Sequence, residues 1–209
     1  MSPSPLIAGE DVAAVSALLW ELGLPVTLLS PLLAHADAVE AEADRLGLIS
    51  AADRGHVLSR HTADSLLFAL AHAPQPGETW VDVGSGAGFP GMVLGICYAE
   101  TSFQLVEPQQ RRAGFLDLQV TRLGLANVDV RAARASDISP GFDVATARAL
   151  AEPLLALELL RRLASAGVSM VAVGSEAVAP SGVTDMDVRR AGVDSPGRIF
   201  MIAESAGTA

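Results

Sequence analysis

The sequence predicts an α/β fold: a mostly parallel, twisted sheet with helices on both faces, preceded by a helical N-terminal extension. Three observations carry this expectation. From Val12 to about Ala73, apolar residues recur at helical spacing. The segment AHAPQPGETW then breaks the pattern with two prolines and a glycine, a linker signal. Beyond it, short β-rich runs alternate with helix-length segments, the texture of βαβ units. The expected division is an extension over residues 1–75 packed on a core formed by residues 76–209. With 209 residues, half of them hydrophobic, the chain is long enough for one well-buried core plus an appendage.

Taken in order, the extension reads as helices broken near Gly23-Leu24-Pro25 and again near Ser50 to Gly55. Its most apolar window, Ser16 to Ala34, contains Glu21, Pro25 and Pro31, which makes it a packed helical hairpin rather than a membrane span. TWVDVG is the first strand, with a helix from about Gly91. FQLVE is the second, followed by a helix over Gln109 to Leu123. VDVRAA and FDVATAR supply the third and fourth, the latter followed by a helix over Glu152 to Leu163. GVSMVAVG is the fifth strand, and DMDVRRAG with RIFMIAES resembles a closing hairpin. Parallel sheets of this kind bind ligands beyond the carboxyl ends of their strands.

Composition narrows the classes of function. The single cysteine, Cys97, lies in an apolar run, so no intramolecular disulfide forms and the chain suits a reducing cytoplasm. No secretory signal pattern opens the sequence. The four histidines, at 35, 56, 61 and 72, have no second ligand set near them in sequence, so no metal site is expected. The net charge of −10 argues against casual nucleic-acid binding, since affinity for phosphate comes mostly from Lys and Arg. All 14 positive side chains are arginine. A GC-rich genome accounts for this more readily than a functional cause, although arginine suits planar and phosphate contacts better than lysine.

The stretch VDVGSGAGFPG places Gly84, Gly86 and Gly88 at alternate positions after the first strand, where main chain free of Cβ atoms lets a ligand approach closely. A dinucleotide turn spaces its third glycine one residue later and receives a pyrophosphate. Here the spacing is shorter, and Asp82, two residues before Gly84, would repel phosphate. That acid suits a cationic ligand instead. S-adenosylmethionine carries a sulfonium and an α-ammonium, which Asp82 can hold directly or through water. Glu107 ends the second strand, where a carboxylate can grip a ribose diol; taken alone it also reads as a solvated strand-end charge.

VDVGSGAGFPG, then LVEPQQRRAGFL, VRAARASD and FDVATARALA, with SRHTADSL upstream, resemble the RsmG (GidB) family of class I methyltransferases. The resemblance runs from about Arg45 to Arg198, and RHTADS, GSGAGFPG and ARAL are its most specific pieces. It implies a Rossmann-like class I methyltransferase fold, S-adenosylmethionine as cofactor, and N7 of a guanine in 16S ribosomal RNA of the small ribosomal subunit as acceptor. Carried over by position, the cofactor contacts fall on Gly84 and Phe89 in the turn, on Ala135 and Ser136 around the adenine, and on Arg148; the candidate cofactor-binding set also takes in Ser85, Gly86 and Gly88 of the turn, with Asp82 and Glu107 as above. His61 and Asp64, at i and i+3 and hence on one helix face, are candidates to line the target-base pocket with Arg148. The alternatives are a helix-packing histidine with a surface acid, and an arginine that pairs a neighbouring carboxylate.

Transfer of a methyl group to guanine N7 is an in-line displacement by a free lone pair, so it needs positioning and exclusion of water rather than a general base. This agrees with a fourth strand ending in TARAL, without the [DN]-P-P-[FYW] of amino-group methyltransferases or a catalytic cysteine. An arginine fits this chemistry at O6 or a phosphate, since one bonded to N7 would occupy the attacking lone pair. The chain departs from the family in three places. Gly174 stands where a lysine is usual, with Glu176 nearby; Ser136 replaces an acid; LGLIS replaces an asparagine-threonine segment. Residues 1–76 carry nine acids against three arginines, and only the stretch from Glu107 to Arg134 runs positive. An acceptor that is a small molecule or a protein, and a cofactor-binding module without catalysis, remain open alternatives.

Overall fold

The computed structural model describes residues 9–148 and 152–204. Seven strands form one sheet: β1 (Thr79–Val83), β2 (Ser102–Val106), β3 (Val128–Arg131), β4 (Val144–Arg148), β5 (Val168–Val173), β6 (Thr184–Asp187) and β7 (Arg198–Ala203). Their order is β3-β2-β1-β4-β5-β7-β6. The first five run parallel, and β7 lies antiparallel between β5 and β6. The chain reverses its direction of winding between the neighbours β1 and β4, which opens a crevice at their carboxyl ends.

The helices are α1 (Gly9–Glu21), α2 (Leu29–Leu46), α3 (Ala63–Ala71), α4 (Gly91–Cys97), α5 (Gln110–Leu123) and α6 (Pro153–Leu163). Alternation along β1 divides the core in two. Trp80 joins a cluster with α1 to α5, whereas Val81 and Val83 face a second cluster built on α6. In α6 the buried residues Ala156, Leu157, Leu160 and Leu163 recur at helical spacing. Its start is set by Pro153 in the first turn and by the Glu152 carboxylate, which accepts from the Leu155 N–H at 3.3 Å.

The N-terminal helices bury Val15, Leu18, Leu32, Val39, Leu66 and Phe68 in the same cluster as Phe89, Met92, Phe103 and Phe115. At about 2 kcal/mol for each large apolar side chain, this shared core holds the extension against the glycine turn. Spacing alone predicts a plain helix over the RHTADS segment. The structure instead places a π-helical turn, Val57–Thr62, directly before α3. Such turns are frequent at functional sites. Here it carries Arg60 and His61, while Asp64 lies in the first turn of α3.

Candidate active site

The glycine turn closes on itself. Gly84, Gly86 and Gly88 have φ of 71°, 57° and 98°, values that residues with a Cβ rarely adopt. The N–H groups of Gly84 and Ser85 both donate to the Val106 carbonyl, at 2.8 and 3.2 Å, and those of Gly88 and Phe89 donate to the Ser85 carbonyl, at 2.7 and 3.2 Å. The buried Ser85 hydroxyl donates to the Asp82 carbonyl at 2.9 Å. Gly91 permits α4 to start against the strands: a Cβ there would stand 2.3 Å from Leu105 Cδ2 and 2.7 Å from Asp82 Cβ.

Both carboxylates expected to hold a ligand make bonds within the protein. Asp82 is 2% exposed, and its Oδ2 accepts from the Gly91 N–H at 3.1 Å. Burial pushes its pKa up to about 6, against the opposing Gly91 N–H and the Ser85 and Thr146 hydroxyls. Glu107, also buried, accepts from the Gly86 N–H at 3.0 Å and from the Gln109 N–H at 2.8 Å, tying the turn to the start of α5. A carboxylate offers about four acceptor positions, so Glu107 retains capacity for ribose hydroxyls. The N–H groups that would greet a phosphate are already spent on Val106, Ser85, Glu107 and Asp82. The donor set therefore fits a ligand with a cationic centre and hydroxyls better than a phosphorylated one. Ala135 and Ser136 begin the short turn Ala135–Asp137 beyond β3. There the Ala135 carbonyl accepts from Arg162 at 2.8 Å and the Ser136 hydroxyl meets Asp137 at 3.0 Å.

Phe89 joins this turn to a second group of residues. His61 stacks on its ring with centroids 5.3 Å apart, and the Arg148 guanidinium lies 5.1 Å from the ring centroid. Arg148 pairs with Asp64 at 3.3 Å, and Asp64 also accepts a short bond from the Ser195 hydroxyl. Burial, helped by the positive charge of Arg148, lowers the His61 pKa to about 4, so its ring is neutral at physiological pH. His61, Asp64, Arg148 and Ser195 line a cavity of about 670 Å³ with Arg60, Gly174, Asp194 and Arg198. Arg60 bridges Asp53 at 2.7 Å and Asp194 at 2.9 Å. Arg148, His61, Asp64 and Phe89 are thus brought together; Gly84, Gly86 and Glu107 belong to the turn itself, which Phe89 links to this group. Of the ARAL motif, Ala149 and Leu150 lie outside the described residues.

Sequence reasoning passed over Ser195 and Arg198. The guanidinium of Arg198 rests beside Gly174, donating to the carbonyls of Gly174, Ser175 and Ala177 at 3.3, 2.8 and 2.9 Å and pairing with Asp185. A cation therefore does stand near the position where the lysine is missing, although Asp185 neutralises much of it. The signal lay in the antiparallel register that sets Arg198 opposite Val173, and the sequence of a short hairpin does not fix that register.

The profile of GidB, the rRNA small subunit methyltransferase G family, matches residues 29–179, a span that holds the π-helical turn, the glycine turn and Arg148. The chain belongs to the GidB family. A Ribosomal RNA small subunit methyltransferase G from Roseiflexus castenholzii is 34% identical over 179 residues, covering 82% of this chain and 73% of its own. One from Clavibacter sepedonicus is 41% identical over 117 residues, covering 55% of this chain and 54% of its own, so the chain spans about half the length of that relative. Among solved structures, a SAM-dependent methyltransferase from Aquifex aeolicus superposes with a TM-score of 0.52 at 20% identity, over 78% of this chain and 96% of its own. A mutant of MtNAS in complex with S-adenosylmethionine gives 0.59 at 16% identity, over 93% and 77%. The fold is that of the class I methyltransferases. The GidB match ends at residue 179, so Asp194, Ser195 and Arg198 reach the cavity from beyond the matched segment.

Proposed function

We propose that this GidB protein transfers a methyl group from S-adenosylmethionine to N7 of a guanine in the 16S RNA of the small ribosomal subunit. The observation that carries this reading is the contact of His61 and Arg148 with Phe89, which joins the glycine turn to the cavity. S-adenosylmethionine supplies an electrophilic methyl group on a sulfonium. Asp82 gives the turn a negative field from behind, and Glu107 stands where ribose hydroxyls are held. Arg148, fixed by Asp64 and the Phe89 ring, keeps N–H groups for O6 of the base or a phosphate, which leaves N7 free to attack. The neutral His61 ring suits contact with a flat base better than with a phosphate. No group needs to remove a proton from N7, so positioning and exclusion of water account for the catalysis.

This substrate sets the site of action in the cytoplasm, and no helix among the described residues is long and apolar enough to cross a membrane. The test is methyl labelling of small ribosomal subunits, and of their naked RNA, prepared from a strain lacking the protein. Labelling of one guanine is expected, and its methylated product should be cleavable at that N7. Normal cofactor binding with no label in either substrate would overturn the assignment. The net charge of −10 favours a second reading, in which the acceptor is a small molecule; turnover insensitive to salt would support it.

A further inference from the structure

An acidic protein that works on RNA must concentrate positive charge somewhere, and its ion pairs reveal where that charge is left over. Nine of the 14 arginines pair with a carboxylate. Among the described residues, Arg111, Arg112, Arg122, Arg134 and Arg162 do not. Arg112 is spent on the carbonyls of Leu46 and Gly47, at 3.4 and 2.5 Å, and Arg162 on that of Ala135. Arg111, Arg122 and Arg134 remain exposed, with no side-chain partner.

Their placement is ordered. Arg111 and Arg122 are eleven residues apart on α5, which in an α-helix returns them to within about 20° of one face, roughly 16 Å apart. Both line a cleft of about 180 Å³ between α2 and α5, where Arg45 joins them in company with its partner Glu42. Asp117, the acid of α5, sits on another side of the helix, and Asp129 is taken up by Arg131 at 2.8 Å. Arg134 follows β3 at the carboxyl edge of the sheet, the edge from which α5 starts just after Glu107.

We propose that the α5 face carrying Arg111 and Arg122, continued by Arg134, is a docking track for the phosphate backbone of RNA, separate from the methyl-transfer cavity. The inference rests on the RNA reading given above. Unpaired guanidinium groups bind phosphates and release condensed counterions, while the acidic remainder of the surface repels the same backbone. RNA would therefore lie along α5 and reach the cavity over the carboxyl edge of β2 and β1.

The experiment measures binding of small-subunit ribosomal RNA, prepared from a strain lacking the protein, between about 50 and 200 mM salt. It compares the full chain with R111Q/R122Q, R111K/R122K and, as a control elsewhere on the surface, R189Q. Loss of two phosphate contacts should flatten the log–log salt slope by about 1.4 to 1.8 and weaken binding by about tenfold or more. The lysine pair should keep the slope, R189Q should match the parent, and calorimetry should show unchanged S-adenosylmethionine affinity throughout. If R111Q/R122Q binds with the parent's affinity and slope, or R189Q loses as much, the track is wrong and the proposed activity stands. If the parent binds no RNA at any salt, the track and the RNA reading fall together.

Discussion

The two walls of the candidate site are made differently. The glycine-turn wall comes from one strand-to-helix unit and the end of the next strand, and its polar groups are satisfied by backbone bonds: Asp82 on Gly91, Glu107 on Gly86 and Gln109. The cavity wall is assembled from segments far apart in sequence, and ion pairs such as Arg148 with Asp64 and Arg60 with Asp53 and Asp194 hold its charged groups, while neither ring nitrogen of His61 has a hydrogen-bond partner. Beside the buried Asp82 this packing leaves no space for an added atom at Gly91, where a Cβ would stand 2.3 Å from Leu105 Cδ2. Paired charges at a partly open cavity can be exchanged or added to with small changes in folding. The first wall should therefore fail by sterics and the second by function.

The largest effect is expected at Gly91. In Gly91→Ala the new methyl would overlap Leu105 and Asp82 and push α4 off the strands. Strained packing and a displaced bond to a buried carboxylate together should cost about 4 kcal/mol or more, read as a fall in the denaturation midpoint with loss of cofactor binding. A variant as stable as the parent would mean that the turn is looser than its bonding indicates.

Arg148→Ala should do the reverse: fold normally but lose chemistry. Removing the group that spans Asp64 and Phe89 misplaces the acceptor, and a misplacement of about 1 Å can cost on the order of 100-fold in rate. S-adenosylmethionine affinity should change less than tenfold. Because Arg148 helps to lower the pKa of His61, the acid limb of the remaining activity should shift to higher pH. Equal loss of cofactor binding and rate would erase the distinction between the walls.

Legibility in sequence followed the same division. The parallel order of β1 to β5, the alternating glycines and the acids at 82 and 107 are local patterns, and periodicity with strand-end chemistry made them readable. The inward bonding of Asp82 and Glu107 was not readable, because it depends on where the backbone N–H groups of Gly91, Gly86 and Gln109 point. The cavity was half legible: RHTADS and Arg148 sit in recognisable motifs. Ser195 and Arg198 arrive through an antiparallel register and a ten-residue connection between β6 and β7, to which no periodicity in sequence points.

Titration gives a third comparison. His35 of α2, wholly buried behind the turn, has its pKa lowered by burial to about 4, with only the Ala87 backbone acting the other way. Stability from a neutral buried histidine is fully present above the unfolded value near 6.5 and is lost as pH falls toward 4. His35 and His61 each contribute a loss on the order of 3 kcal/mol over this window. Asp82 has the opposite sign: its raised pKa means the folded state takes up a proton first, so stability is gained by a similar amount as pH falls from about 6 to 4. The parent should therefore weaken by about 3 kcal/mol between pH 6.5 and 4. His35→Leu should leave the other two groups nearly cancelling, giving an almost flat profile in urea denaturation. A variant that keeps the parent's slope would show that His35 is not held neutral.

The smallest effect, and the one confined to the cavity wall, is expected from Gly174→Lys. A Cβ at this position meets nothing within 4 Å, and its φ lies outside the left-handed range, so the substitution strains neither packing nor backbone. The added ammonium would enter a lining that already holds Arg60, Arg148 and Arg198 but balances them with Asp64 and Asp194 nearby and with Asp185. One further cation near a phosphate backbone is worth about 1 kcal/mol or less at an exposed site, which predicts a KM for ribosomal RNA a few-fold lower, a kcat little changed and a steeper dependence on salt. If the lysine raises KM instead, the carbonyl-bound Arg198 beside Gly174 already fills the cationic position, and a second charge there opposes it.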